Sequence, residues 1–204
     1  MSGATPKRRP ALLSLKLRWA VFLLLSTSLA ALPARAAWQN FQAASGGLSD
    51  NNIASISQSP AGGIWLGTGS HAANFFDGVR WRSVVDSLPQ GQIVAVLEDR
   101  TERQWFGSDV GGLAMFNGRQ WLRYGRTSGE LPSDAVTSLL EDRAAVLWIG
   151  TDKGLVRFDP STRTWTTFPA GAGQLVGQTI TRLFEDSRGT LWIATTSGLS
   201  ALDP

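Results

Sequence analysis

An all-β fold of repeated antiparallel sheets is predicted by three features of the sequence. Short apolar runs alternate with turn residues, and no helical period occurs after the first 37 residues. Every tryptophan of that later part falls into one of two columns, spaced by 40 to 44 residues. Asp77-Gly78 and Asn117-Gly118 are dipeptides that favour β-hairpins, because tight hairpin turns need positive φ.

The first 37 residues have the three parts of a secretion signal. A basic stretch without acids precedes an apolar run at 19–25, and Ala34 and Ala36 stand where a signal peptidase reads small side chains. The apolar run is short for a membrane span, which needs about 20 residues. We therefore predict that residues 1–37 are a signal peptide and that the protein is exported to the periplasm. A retained N-terminal anchor is the alternative, and a pair of adjacent arginines would also suit twin-arginine export.

The charge and cysteine counts exclude several functions. Removing the six basic residues of the predicted signal from the 19 in the chain leaves 13 against 16 acidic residues, a net charge of −3. The basic character of the whole chain is therefore no indication of a nucleic-acid partner. The chain has no cysteine, so neither disulfides nor thiolate chemistry are available.

The repeat contains four predicted strands. The first is an apolar run, the second carries the first tryptophan column, the third follows a glycine-containing turn, and the fourth begins at the second tryptophan column. The first column is Trp65, Trp105, Trp148 and Trp192, and the second is Trp38, Trp81, Trp121 and Trp165. The predicted units are 52–84, 92–124, 134–168 and 178–204, with 38–41 as a lone outer strand.

A four-stranded repeat with this period is typical of a β-propeller blade. The first strand of each blade is expected to line the central channel, and the tryptophans to pack between neighbouring blades. Residues 38–41 would supply the fourth strand of the last blade and close a four-blade ring. Alternatively, the four blades are part of a seven-blade ring.

The motifs of the third unit resemble the two-component regulator propeller repeat. Glu141-Asp142, then Leu-Trp-Ile-Gly-Thr at 147–151 and Gly-Leu at 154–155 carry the resemblance in order. Three departures occur, namely Gln58-Ser59 for Glu-Asp and Ala73-Asn74 for Gly-Leu in the first unit, and Ala194 for glycine in the last. The resemblance implies the periplasmic sensor part of a histidine kinase or diguanylate cyclase receptor. It also implies an oligosaccharide as a possible ligand.

Two groups of polar residues were considered as functional sites. The Glu-Asp pairs recur at one register in three units, so we interpret them as turn residues rather than as a catalytic pair. The turns after the second strands and the loops before the first strands should share one face of the disc, where ligands commonly bind. We predict a polar ligand-binding rim there, made of His71, Asp109, Arg126, Asp152 and Lys153. The alternative is that these five are solvated turn residues.

No metal, cofactor or catalytic residue is predicted. With a single histidine and no cysteine, only oxygen ligands remain, and Asp109 and Asp152 would suit a calcium ion on the axis only as a minor alternative. The predicted function is therefore a non-enzymatic, extracytoplasmic ligand-sensing propeller. Possible partners are a small ligand such as an oligosaccharide and a downstream signalling module. The alternatives are a scaffold for protein partners and a streptogramin-lyase-like enzyme.

Overall fold

The computed structural model describes residues 38–171 and 174–203, and these form fifteen strands and one short 3-10 helix. The predicted signal peptide lies outside the described residues. The strands make four antiparallel sheets, each in sequence order, which we call blades 1 to 4. The all-β propeller predicted from the sequence is confirmed.

The first three blades have four strands each, and the fourth has three in the described residues. The 3-10 helix is Ala43–Ser45. Blade 1 contains β1 (Ile53–Gln58), β2 (Ile64–Thr68), β3 (Ala72–Phe76) and β4 (Trp81–Val84). Blade 2 contains β5 (Ile93–Glu98), β6 (Gln104–Ser108), β7 (Leu113–Phe116) and β8 (Trp121–Tyr124). Blade 3 contains β9 (Val136–Glu141), β10 (Leu147–Thr151), β11 (Gly154–Asp159) and β12 (Thr164–Phe168). Blade 4 contains β13 (Ile180–Glu185), β14 (Leu191–Thr195) and β15 (Gly198–Leu202).

The expected outer strand at 38–41 is not formed. These residues have no regular structure, and they precede the 3-10 helix instead. The ring of Phe41 packs against Phe76 and Trp81 of blade 1, with centroid distances of 5.6 and 5.3 Å. The apolar residue of this short segment is therefore held by side-chain packing on the first blade, whereas β15 pairs with β14 alone.

The core lies between the blades rather than inside one sheet. One cluster joins blades 1 and 2 around Trp65 and Phe106, a second joins blades 2 and 3 around Trp105 and Ile149, and a third joins blades 3 and 4. Trp105 is fully buried. A buried indole removes a large apolar area from water, so each tryptophan of the first column stabilises an interface between sheets.

Glycines of the second strands allow this close stacking. A Cβ placed on Gly107 would lie 2.5 Å from Cγ1 of Val136 in the next blade. A Cβ on Gly150 would lie 2.7 Å from Cγ2 of Ile180, again in the next blade. Gly107 and Gly150 are therefore required by the neighbouring first strand. Ala194 holds the same position in blade 4, where no further first strand packs in the described residues.

The four blades form an arc with two open ends. β1 packs on β5, β5 on β9 and β9 on β13, whereas β1 and β13 share no comparable packing. Ile56 of β1 is 72% exposed and Phe184 of β13 is 63% exposed. Closure into a four-blade ring, which was one of the two arrangements expected from the sequence, is not formed.

Candidate functional site

The turn between the first and second strands is built around an aspartate. In blade 3, Oδ1 of Asp142 accepts hydrogen bonds from the backbone N–H groups of Ala144 and Val146, both at 2.9 Å. Its Oδ2 accepts the indole N–H of Trp148 at 2.7 Å. Each carboxylate thus fixes its own turn and satisfies the polar atom of a buried tryptophan, as the interpretation from sequence predicted.

The same arrangement recurs in blades 2 and 4. Trp105 donates to Asp99 at 2.8 Å, and Trp192 donates to Asp186 at 3.1 Å. The hydrogen bond from Trp192 is the main reason that the pKa of Asp186 is lowered to about 2. Burial alone would raise the pKa of Asp99, but hydrogen bonds from Trp105 and Thr101 hold it below its usual value. Such carboxylates stay ionised and are poor general acids.

Blade 1 has Ser59 where the other blades have aspartate, and its tryptophan is satisfied differently. The indole N–H of Trp65 donates to Oε2 of Glu98, in blade 2, at 2.6 Å. Ser59 retains one part of the aspartate's role, because its hydroxyl accepts the N–H of Ala61 at 3.1 Å. This contact across blades could not be read from the sequence.

The glutamates of the Glu-Asp pairs join neighbouring blades. Glu141 accepts the backbone N–H of Arg100 at 3.1 Å, and Glu185 accepts that of Arg143 at 3.0 Å. The guanidinium of Arg143 also donates to Oε1 of Glu185 at 2.8 Å and to the carbonyl of Asp186 at 2.7 Å. The face of the disc that carries these turns is therefore occupied by structural contacts.

On the opposite face, His71 and Asp109 of the predicted rim hold one loop. Nδ1 of His71 lies 3.2 Å from the carbonyl oxygen of Gly91. Oδ1 of Asp109 accepts the N–H of Gln92 at 2.8 Å. Both side chains thus fix the entry to β5, and the structure brings these two predicted residues to the same segment.

The other three rim residues are not joined to that pair by any contact in the described part of the chain. The backbone N–H of Arg126 donates to Oδ1 of Asp134 at 2.7 Å, while its side chain is exposed. The backbone of Asp152 donates to the carbonyl of Ala135 at 3.2 Å. Lys153 is exposed in the same turn. The rim as a ligand site stays a prediction.

A groove on the axis of the arc is the site that reasoning from the sequence missed. It encloses about 290 Å³ and is lined by the first strands of all four blades. Its polar lining consists of Ser55, Ser57, Thr137, Ser138 and Arg182. These hydroxyls could have been found by reading the first strands, which the sequence already placed at the channel, for polar residues instead of searching the loops.

The hydroxyls of the groove are poorly satisfied within the protein. Ser55 Oγ, Ser57 Oγ, Thr137 Oγ1 and Ser138 Oγ are buried and have no hydrogen-bond partner in the described residues. Ser138 is only 8% exposed. Buried polar groups normally have partners, so unpaired hydroxyls at a concave surface indicate a place where a polar ligand would bind.

Each of the four first strands has a register shift at one place, which distorts the wall of the groove. In blade 3 the pairing passes from Val136 to Ser138 and leaves Thr137 without a partner opposite. The same irregularity follows Ile53, Ile93 and Ile180. A β-bulge re-aims the neighbouring side chains, so adjacent residues such as Thr137 and Ser138 both line the groove.

The groove has one charged side chain among the described residues that line it, Arg182. Its guanidinium donates to the carbonyl of Thr181 at 2.9 Å and is otherwise exposed. Hydroxyls with a guanidinium suit a neutral or anionic polar ligand. No cluster of three or more metal-binding side chains occurs in the part of the chain that the structure describes. No helix in that part has the length and apolar character needed to cross a membrane.

Two segments of the chain match the family described as "Two component regulator propeller", at residues 47–70 and 174–197. These segments are the loop and strands of blade 1 and those of blade 4. The chain therefore carries two-component regulator propeller repeats, as the resemblance of the motifs indicated. No curated protein matches the chain.

Solved structures with the same fold include two from B. thetaiotaomicron. The extracellular domain of BT3049, described as a hybrid two component system, is 18% identical with a TM-score of 0.70. The match covers 82% of this chain and 24% of that one. The extracellular domain of BT4673, described as a one component system, is 23% identical with a TM-score of 0.65, over 79% of this chain and 22% of that one. The chain thus spans about a quarter of the length of these domains.

An enzyme is also among the similar structures. Virginiamycin B lyase from Staphylococcus aureus, in complex with quinupristin, is 11% identical with a TM-score of 0.59. The match covers 78% of this chain and 58% of that one. At these identities the likeness establishes the propeller fold and nothing about activity.

Proposed function

We propose that this chain, which carries two-component regulator propeller repeats, is the ligand-binding part of an extracytoplasmic sensor. In this proposal the chain is exported to the periplasm and is not itself catalytic. It forms the N-terminal sensor portion of a two-component or diguanylate cyclase receptor. The two similar B. thetaiotaomicron structures are extracellular domains of signalling systems, which supports the proposal by analogy of fold.

The observation that carries the proposal is the axial groove with its unpaired hydroxyls. Ser138 is nearly fully buried, and its hydroxyl has no partner among the described residues. A polyhydroxylated ligand would satisfy these hydroxyls, because sugar hydroxyls both donate and accept hydrogen bonds. Arg182 on blade 4 would add a charge-assisted hydrogen bond to an acidic sugar.

The groove also provides a means of signalling. Its walls come from four separate sheets, so a ligand held by the first and last blades would favour one opening angle of the arc. A ligand shifts a conformational equilibrium only by its differential affinity for the two states. Binding would therefore stabilise one shape of the arc and pass that preference to the rest of a receptor.

Calorimetric titration with neutral and acidic oligosaccharides tests the proposal. We expect Ser138→Ala to weaken binding about 5-fold and Arg182→Ala to weaken binding of the acidic ligands about 10-fold or more, as for a lost neutral or charged hydrogen bond. Arg119→Ala, in the exposed turn between β7 and β8, is the control and should bind normally.

Two outcomes would overturn the groove as the site. The first is binding that neither Ser138→Ala nor Arg182→Ala weakens. The second is binding that depends on the predicted rim, tested with His71→Ala and Asp109→Ala, together with Arg126→Ala, Asp152→Ala and Lys153→Ala. If no oligosaccharide binds and a protein partner is retained instead, the scaffold alternative replaces the sensing role.

A further inference from the structure

Blade 4 has an edge that is covered in every other blade. β11 of blade 3 pairs with β10 on one side and β12 on the other, whereas the equivalent β15 pairs only with β14 in the described residues. Leu199 of β15 is 59% exposed, while Leu155 at the same position in β11 is 1% exposed. An unpaired edge with exposed apolar side chains is a template for another strand.

Two cavities beside β15 have the location of a missing aromatic side chain. They enclose about 270 and 470 Å³, and both are lined by Phe168 and Leu202. One blade earlier, Tyr124 and Phe158 hold these two positions, and the ring of Trp165 lies 4.8 and 4.4 Å from theirs. The cavities thus correspond to the place of a tryptophan at the start of an outer strand.

The sequence contains a segment with the pattern of that outer strand. The three outer strands begin with tryptophan and have an apolar or aromatic residue three positions later, as in Trp165 and Phe168. Trp38-Gln39-Asn40-Phe41 has the same pattern, although it is not a strand in this structure.

Phe41 already lies where an outer strand of a preceding blade would lie. Its ring packs on Phe76 and Trp81 at 5.6 and 5.3 Å. Two blades along, Tyr124 of one outer strand packs in the same way on Trp165 of the next blade, at 4.8 Å. A blade docked on the open side of blade 1 would therefore have its third strand beside residues 38–41.

The open side of blade 1 is apolar, as such docking requires. Ile53 is 40% exposed, whereas Ile93, the equivalent residue of blade 2, is 0% exposed because blade 1 covers it. The chain thus has two unlike faces, the open side of blade 1 and the open side of blade 4, each of which fits the other. Faces that are complementary but lie at opposite ends of one arc favour head-to-tail association.

We propose that a second copy of this chain docks head to tail on the first, so that residues 38–41 of one copy become the fourth strand of blade 4 of the other. Applied twice, this contact joins two arcs into a two-fold symmetric ring of eight blades, within the usual range of four to eight. The register follows from blade 3, where Val156 lies opposite Thr167. It places Ser200 opposite Asn40 of the other copy.

The mass of the full chain in solution gives the first test, by sedimentation equilibrium over a range of concentrations. The expected result is a dimer. Trp38→Ala and Leu199→Glu should each weaken the dimer at least 10-fold. Val79→Glu is the matched control, because Val79 is an exposed apolar residue in the turn between β3 and β4, away from both faces. A monomer at all concentrations, or a dimer unaffected by both variants, would overturn the proposal.

Cross-linking tests the register and distinguishes self-closure. The chain has no cysteine, so introduced thiols report on their own contact alone. Asn40→Cys in one preparation and Ser200→Cys in another should form a disulfide between chains when mixed, since residues opposite each other in antiparallel strands are within disulfide range. Ser187→Cys, exposed in the turn between β13 and β14, is the control partner. If the double variant instead forms a disulfide within a monomer, the chain closes on itself and the proposal fails.

Discussion

Blades 1 and 3 hold the same buried tryptophan in two different ways. In blade 3 the indole N–H of Trp148 is accepted by Asp142 of its own turn, whereas in blade 1 Trp65 donates to Glu98 of the next blade. Both hydrogen bonds are short, at 2.7 and 2.6 Å. The comparison shows that the fold requires an acceptor at this position, but that either the same blade or its neighbour can supply it.

The use of Glu98 in blade 1 follows from the turn that it faces. Elsewhere the glutamate accepts the backbone N–H of the residue after the aspartate, as Glu141 does for Arg100. Blade 1 has Pro60 at that place, and proline has no N–H to donate. Glu98 is therefore free to accept the N–H of Trp65, which the Ser59 turn leaves unpaired.

Removing the aspartate of blade 3 should break the comparison most strongly. Asp142→Ala leaves the indole of Trp148 and two turn N–H groups without their acceptor, so we expect a loss of about 3 kcal/mol in the free energy of unfolding. Urea unfolding measures it. Ser59→Ala in blade 1 removes one hydrogen bond and should cost about 1 kcal/mol. Equal losses would show that the two turns are not used differently.

Moving the acceptor back into blade 1 would sharpen the comparison. Glu98→Ala should destabilise the fold by about 2 kcal/mol, because the indole N–H of Trp65 is left buried without an acceptor. Adding Ser59→Asp to that variant should restore about 1 kcal/mol by recreating the turn of the other blades. The measurement is again urea unfolding, and no recovery in the double variant would contradict the proposed equivalence.

The contacts between neighbouring turns should contribute less. Arg143 bonds to Glu185 and Asp186 of blade 4, so Arg143→Gln is expected to cost about 0.5 kcal/mol, as for a half-exposed ion pair. Arg188 pairs only with Asp186 of its own turn and is largely exposed. Arg188→Gln should therefore leave the midpoint of thermal unfolding unchanged, and a larger shift than for Arg143→Gln would argue against a bridge between blades.

The smallest effect is a change in pH dependence. The pKa of Asp186 is lowered to about 2 from a usual value of 3.8, so the folded state gains stability from its ionised form. That contribution is complete above the usual value and is lost as the pH falls to about 2. Asp186→Asn should flatten the loss of stability over this window in thermal unfolding at a series of pH values. An unchanged slope would show that Asp186 does not contribute.

Most strands were predictable from the sequence because their signals are local. Apolar runs such as 93–97 and the turn dipeptide Asn117-Gly118 mark strand and hairpin wherever they occur, and β5 and the turn before β8 lie there. Residues 38–41 have the same local pattern, yet they do not form a strand. A strand also needs a partner edge, and in this structure Phe41 packs on side chains of blade 1 instead.

The candidate site was less predictable than the fold. The sequence placed the first strands at the channel, but Ser57 and Ser138 are inconspicuous as residues, and their burial without partners appears only in three dimensions. The predicted rim residues His71 and Asp109 do meet at one loop, because turns of neighbouring blades share a face.

By itself, the sequence determined the all-β class, the four-strand repeat and the turns, since hydrophobic period and turn chemistry act over a few residues. Only the tertiary structure decided that the arc stays open, that Trp65 takes its acceptor from Glu98, and that hydroxyls from different blades line one groove. These features depend on distances between residues far apart in the chain. Such distances are set by how the sheets pack against one another, and no local pattern records that packing.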